Sequence, residues 1–294
     1  MKTLGKTLFW LVLIVSVIVF ILPFWFMLCN SFEEFSYVLP YPPKLFPTRL
    51  DFSAYRHILS MDIFPAALAN SVINTVITVM ISVFVSTLSA YGFACIRFPG
   101  RDKLFAVYLF TLMMPGFLNI IPQFLILKWI RLPGMPNGLI GTRAGLILVY
   151  VATNVCGHTF FLRNFFRSLP DSLSESVIVD GGGHGAIFFR VMLPLVTPGL
   201  ITAALMSFIY SWNNFLFALV LSGYNTKTLP MAVFNFIGYA KISWGPLMAA
   251  ATIITGPVVL ISLIMQKYVV SGMTAGMAPQ MAANGAGAPA MAQS

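Results

Sequence analysis

The chain has 294 residues, 59% of them hydrophobic and only 9% charged, with a mean hydropathy of +0.89. A soluble domain carries about 25% charged residues, so this composition excludes an ordinary globular enzyme and points to a bilayer as the solvent. The net charge of +9 does not indicate nucleic acid, because the 17 basic residues are spread through short loops without a basic helix or an aromatic RNA-binding motif.

Stretches free of Asp, Glu, Lys and Arg cover 7–32, 63–96, 104–127, 144–162, 191–226 and 242–266. Each can hold the roughly 20 apolar residues that cross the hydrocarbon core, and a mid-span Asp, Lys or Arg costs about 2.5–3.5 kcal/mol on insertion scales. The expected fold class is all-α, a polytopic membrane protein with six transmembrane helices.

Residues 1–30 form an N-terminal segment and the first helix. Its apolar run from Leu8 to Cys29 is too long for a signal-peptide core and lacks a small-x-small cleavage site, so it stays in place. Lys2 and Lys6 before it, with Glu33–Glu34 after it, favour a cytoplasmic N-terminus, and six spans then put the C-terminus inside as well. Residues 31–66 form a periplasmic loop whose proline-rich "VLPYPPKLFPTRLDF" cannot be continuous helix. Residues 67–270 form the permeating core, in which "FPGRD" is a tight inner turn punctuated by Pro99-Gly100. Pro23, Pro115, Pro122 and Pro257 fall in or near spans, where neighbouring helices re-satisfy freed carbonyls. Basic residues divide almost evenly between inner and outer loops, so the first helix carries the orientation. Cys29, Cys95 and Cys156 are isolated, as are His57, His158 and His184, and no metal site is expected. Residues 271–294 are a small-residue, low-complexity tail, read as disordered or loosely docked.

The core is interrupted by a loop at residues 163–198, and the stretch "SLPDSLSESVIVDGGGHGAIFFRVMLPLVTPGL", Ser168 to Leu200, holds three of the eight acids of the chain. A short polar side chain at Pro170-Asp171-Ser172 can cap a helix whose first turn carries Glu175. The helix ends at Gly181-Gly182-Gly183, where glycine permits left-handed backbone. A second helical piece, "HGAIFFRVMLP", leads through Pro194 and Pro198 into the fifth span. This hairpin, projecting on the cytoplasmic side, is a knob with a charged flank suited to being gripped by another protein.

Glu175, Asp180, Gly181, Leu193, Pro194 and Pro198 match the EAA-type loop of bacterial ABC importer permeases, which the stretch resembles; Ser176-Val177 stands where that family prefers two alanines. "SWNNFLFALVL", "TLPMAVFNFIGYAKISWGPLMAAATI" and "QKYVVSGMTAGM" are similar to the maltose and multiple-sugar branch, and the resemblance extends to permeases of bacterial alginate importers. It implies a multi-pass subunit of the bacterial inner membrane that takes up oligosaccharides delivered by an extracytoplasmic binding protein. The implied partners are a second permease, two ATPase subunits, that binding protein and membrane lipid. The permease itself is then no enzyme and holds no cofactor, ATP and Mg belonging to the ATPase subunits. "GGGHGA" agrees, lacking the lysine of a phosphate-binding loop.

The resemblance makes the 172–190 segment the coupling helix, with Glu175, Ser176, Asp180, Gly181, Gly182 and His184 as its contact residues; Asp180 equally suits a cap on the next helical piece. Tyr210, Trp212, Asn213, Asn214 and Phe215 combine ring faces that stack on sugars with amides that bind hydroxyls. The same residues also suit an aromatic belt and helix–helix hydrogen bonds. By resemblance, Tyr239, Lys241 and Trp244 belong to the loop that enters the binding protein. Lys128, Arg131, Arg143, Lys227 and Lys241 face outward with no acid among them, which fits an anionic oligouronate and equally an acidic binding protein or lipid headgroups. The alternative class is an ion-coupled secondary transporter, which ordinarily places ionisable groups inside its spans.

Overall fold

A computed structural model describes residues 2–33, 45–47, 49–131, 133–134, 137–238 and 242–285. Among them the secondary structure is helical, with two isolated β-bridges, Gly141 with Ser222 and Ile237 with Ile242. The chain divides into two compact units, one of residues 1–70 with 227–259, the other of residues 71–226 with the chain from Leu260 onward.

The first unit opens with α1 (Lys2–Asn30), which is apolar on every side and exposes Leu8, Val12, Val19 and Phe20 alike. A helix of that kind is a membrane span rather than a soluble surface helix. The segment after it folds around Phe32, whose ring packs on Phe52 and Tyr55 while Ser31 and Tyr55 share a 2.7 Å hydrogen bond. The Asp51 carboxylate accepts the Ser53 N–H at 2.6 Å, and that bond holds its carboxyl below the usual carboxylate range. The short α2 (Ser53–Ser60) follows, so the segment between α1 and the next long helix is partly helical. Within this unit the Asn70 amide donates to the Lys227 carbonyl at 2.9 Å, and α12 (Leu229–Phe234) buries Leu229 and Ala232.

The second unit holds most of the spans. α3 (Ile63–Cys95) enters it at Ser71 and runs 33 residues, about 50 Å at 1.5 Å per residue. Its sequence places a polar residue at every fourth position, Asn70, Asn74, Thr78, Ser82 and Ser86, and all five are buried. Spacing of four keeps them on one helix face. Ser82 meets Ser207 across the helices at 2.9 Å.

At the end of α3, Phe98-Pro99-Gly100-Arg101 makes a type II turn: Gly100 takes φ 82°, ψ 0°, and the Arg101 N–H reaches the Phe98 carbonyl at 3.3 Å. α4 (Arg101–Met113) then breaks at Met114-Pro115, passes through a 3-10 turn at Gly116–Asn119 and continues as α5 (Ile120–Trp129), bent by 98°. α6 (Arg143–Arg167) is capped by Thr142, whose hydroxyl accepts the Gly145 N–H at 3.0 Å. This helix includes Arg163, which the sequence reading placed at the start of a loop. The reason is tertiary: the Arg163 guanidinium lies 3.9 Å over the Phe105 ring and donates to the Phe93 carbonyl, while Phe165 and Phe166 are buried behind it.

α7 (Ser172–Val179), α8 (His184–Ala186), a π-helical turn (Ile187–Met192) and α9 (Leu193–Leu195) form the hairpin. α10 (Thr197–Asn213) leaves it at a 73° bend. It approaches α6 where Gly199 faces Phe165; a Cβ there would lie 2.9 Å from the ring. α11 (Leu216–Leu221) and α13 (Trp244–Gly285) complete the chain. α13 takes in the first part of the tail read as disordered or loosely docked, in keeping with the Ala and Met that favour helix there.

Among the described residues four helices are long and apolar enough to cross a membrane, and two bent pairs pass the same test when their halves are taken together.

Candidate functional site

The hairpin is held from beneath. Tyr91 near the end of α3 packs on Phe188 at 5.0 Å and on Phe166 at 5.8 Å, with centroids in the range of favourable aromatic pairs. Its hydroxyl donates to the His184 carbonyl at 3.4 Å. Ile187, Phe188, Met192 and Val196 are buried with Ala90, Leu162 and Phe165 in one apolar cluster. The π-turn widens the helix where Phe188 and Met192 enter this cluster, leaving Phe189 and Arg190 outside.

α7 stands above that anchor with little cover. Glu175, Ser176, Asp180, Gly181 and His184 are exposed, and so are the apolar Ile178 and Val179, the latter 86%. Its end is a Schellman motif: the Gly182 N–H reaches the Val177 carbonyl at 2.8 Å, and the Gly181 N–H reaches that of Ile178 at 2.9 Å. Gly181 sits at φ 80°, which side-chain-bearing residues rarely adopt. Gly182 is half-buried, and a Cβ on it would lie 2.5 Å from Val177 Cγ1. The expected side-chain cap at Asp171 is not formed. Asp171 already has helical angles, and its carbonyl rather than its carboxylate accepts the Glu175 N–H.

A second feature lies where helices break. A cavity of about 720 Å³ opens between the α4–α5 bend, the middle of α6 and the α10–α11 junction. Of the residues singled out from "YSWNNF", Tyr210, Asn214 and Phe215 line it. Trp212 and Asn213 do not: Trp212 is buried and stacks on Phe208 at 5.6 Å, and Asn213 is exposed with its amide bonded to the Ile209 carbonyl. They diverge because the chain leaves the helix at Asn214 (φ −73°, ψ 107°). The Asn214 Oδ1 accepts the Phe217 N–H at 3.1 Å, and its carbonyl accepts the Tyr150 hydroxyl at 3.4 Å. Tyr150 and Tyr210 meet edge to face at 6.0 Å.

The rest of the cavity's polar lining was not foreseen: Thr111, Asn119, Gln123 and Thr153 come from segments that the residue pattern alone reads as lipid-facing span. Thr153 and Asn214 flank the Tyr210 hydroxyl, which is buried and makes no hydrogen bond of good geometry, and Gln123 Oε1 is likewise unpartnered. Unmade bonds at buried polar atoms cost about 1–3 kcal/mol each, so the cavity favours an occupant that supplies donors and acceptors, as water or a sugar does.

Tyr239 and Lys241, assigned to the binding-protein loop, lie outside the described residues; Trp244 opens α13 and is half-buried. Among the described residues no group of three or more His, Cys, Asp or Glu side chains is placed to hold a metal ion.

No family profile matches the chain. It is 35% identical over 236 residues to the trehalose transport system permease protein of Mycobacterium tuberculosis, covering 79% of this chain and 84% of that one. It is 34% identical to a diacetylchitobiose uptake system permease protein of Streptomyces coelicolor, over 90% of this chain and 86% of the relative. Among solved structures, a chain of a bacterial ABC transporter involved in the import of the acidic polysaccharide alginate superposes with a TM-score of 0.74 at 23% identity, covering 91% of this chain and 97% of that one.

Proposed function

The chain belongs to the permease subunits of sugar ABC transporters, and from that premise we propose that it is one of two permeases of an importer whose ATPase subunits grip α7 and whose sugar path passes the Tyr210–Asn214 cavity. The observation that carries the reading is the exposed, Schellman-ended α7, joined to the spans through Phe188, Tyr91 and Phe166. A movement of α7 is passed to α3 and α6 through packed rings rather than through a flexible loop. The partners are a second permease, two ATPase subunits that bind ATP and Mg, and an extracytoplasmic binding protein reached by the segment at Tyr239, Lys241 and Trp244. The chain itself hydrolyses nothing.

Six spans fit this role, with each bent pair counted once. The ends of α3 and α6 meet the hairpin at Tyr91 and Phe166, so the α4–α5 pair must carry the chain to the opposite side before α6 returns. α10 then leaves the hairpin and reaches the level of Tyr150 at Asn214. With α1 entering from the cytoplasm, the hairpin and both termini lie inside. In domain terms, residues 1–30 anchor the chain, 31–66 lie outside, 67–270 form the core with its 163–198 loop, the first residues of which to Arg167 belong to α6, and 271–294 form the tail. The ion-coupled alternative loses its support to the permease relatives.

The substrate is an oligosaccharide. An anionic, alginate-type oligouronate is supported by the outward Lys128, Arg131 and Arg143, all exposed. The test of the coupling role is Glu175→Ala in the importer reconstituted with its second permease, ATPases and binding protein. A charge-assisted contact is worth about 1.5–3 kcal/mol, so sugar-stimulated ATP hydrolysis and uptake should both fall about tenfold or more while the subunit still inserts. Uptake within about twofold of the parent refutes the role.

A further inference from the structure

The type II turn after α3 gathers charge that none of the roles above uses. Arg97, Arg101, Asp102 and Lys103, with Phe98 and Gly100, line a concavity of about 440 Å³. From the side, Arg167 and Arg101 lie within electrostatic reach of the Arg163 guanidinium, as does Asp102. Among the described residues only one ion pair forms here, Arg101 with Asp102 at 3.3 Å. Five cations therefore outnumber the two carboxylates nearby, Asp102 and Asp171, the latter within electrostatic reach of Cys95. Five clustered like charges repel, and a bound anion relieves that repulsion.

The position identifies the anion's source. The turn lies at the same end of the molecule as the hairpin, because Tyr91 of α3 bonds to His184 only six residues before Arg97. Arg163 is drawn to this level by the Phe105 ring. From the rim of the concavity α4 descends with an exposed apolar face that includes Leu104, Val107 and Phe110, the last two 64% and 65% exposed, while Phe105 is buried. A soluble anion needs only the charges. A phospholipid uses both parts, its phosphate among the arginines and its acyl chains along α4.

We infer that Arg97, Arg101 and Lys103, backed by Arg163 and Arg167, form a binding site for the headgroup of an anionic phospholipid at the membrane surface nearest the hairpin. Basic pockets between transmembrane helices at the cytoplasmic side recognise such headgroups. The site sits on the α3–α4 connection, where Phe98 packs on Phe93 of α3, and the Phe188 anchor rests on Tyr91 two residues earlier in the same helix, so an occupied headgroup also pins the end of α3 against which the hairpin is docked.

The test uses the whole importer complex, taken from nanodiscs containing phosphatidylglycerol and phosphatidylethanolamine, with bound lipid read by native mass spectrometry. The parent should retain phosphatidylglycerol over phosphatidylethanolamine. Each basic residue near the surface contributes about a fivefold preference, so Arg97→Gln with Lys103→Gln should lower phosphatidylglycerol affinity about 30-fold and leave phosphatidylethanolamine unchanged. Arg97→Lys alone, which keeps the charge, should stay close to the parent and so separates charge loss from misfolding. Equal retention of the two lipids by the parent overturns the inference, as does an unchanged phosphatidylglycerol affinity in the double variant. Loss of the ATPase subunits from the double variant with lipid retention intact also overturns it, marking a protein-docking surface instead. Displacement of phosphatidylglycerol by an equal concentration of inorganic phosphate overturns it in favour of a soluble anion.

Discussion

Phe188→Ala tests whether the hairpin works through its ring anchor. Phe188 is 6% exposed and lies 5.0 Å from the Tyr91 ring, 6.5 Å from Phe166 and 4.8 Å from Phe189. Truncating a buried Phe to Ala costs about 3–5 kcal/mol, part of it from aromatic pairs worth about 0.5–1.5 kcal/mol. α7 itself buries no residue, and the other attachments of the hairpin are Ile187, Met192 and Val196 in the same apolar cluster and the 3.4 Å bond from Tyr91 to the His184 carbonyl, so Phe188 is the largest side chain among the hairpin's own anchors. The loss therefore falls on local docking rather than on the spans, and about 3 kcal/mol lowers the docked-to-undocked ratio roughly 150-fold. The assay pairs sugar-stimulated ATP hydrolysis in the reconstituted importer with hydrogen exchange at the α7 amides. In Phe188→Ala, stimulation should collapse towards the unstimulated rate, and α7 exchange should accelerate by one to two orders of magnitude while α3 and α6 stay protected. Phe188→Leu keeps most of the volume and should cost less than about 1.5 kcal/mol, giving an intermediate result. Parental stimulation together with unchanged α7 exchange in Phe188→Ala would refute the mechanical link between α7 and the spans.

Gly182→Val should also uncouple the complex, because its branched side chain meets Val177 where even a Cβ lies 2.5 Å away; Gly182→Ala should do so more mildly, both read as ATPase stimulation at equal complex yield. Tyr210→Phe removes a buried hydroxyl that lacks a good partner among the described residues, so it should leave assembly unchanged and lower uptake several-fold if sugar passes there, whereas Trp212→Phe, outside the cavity, should spare uptake per assembled complex. Charged oligouronates should compete for uptake and stimulate ATP hydrolysis, with the advantage shrinking as salt rises because the Debye length falls from about 10 Å at 0.1 M to 3 Å at 1 M; competition by neutral oligosaccharides alone refutes the anionic substrate and leaves the importer reading standing.

Much of this molecule is determined locally and so can be read from the chain. Helices in a bilayer must satisfy their own backbone bonds, so the charge-free runs at 63–96, 144–162 and 242–266 become α3, α6 and α13, with no more than two residues of any run outside its helix. The hairpin is equally local. Its turn needs glycine where φ is positive, and Gly181 stands there, with Gly182 following where no Cβ fits. The ladder Asn70, Asn74, Thr78, Ser82, Ser86 was legible too, as a polar residue at every fourth position, although the apolar average of the run conceals it. Tertiary structure decided the rest. Whether Tyr210 or Trp212 faces a cavity depends on where α10 stops, and it stops at Asn214 because Tyr150, 64 residues earlier, holds the Asn214 carbonyl. Gln123 and Thr153 become cavity residues only because α4 and α5 bend by 98° beside α6. Arg163 is helical rather than loop because a phenylalanine ring 58 positions away lies under its guanidinium. Periodicity and propensity report a residue's neighbours along the chain, whereas a cavity or a charge cluster is a meeting of distant segments, and only the packed fold brings those together.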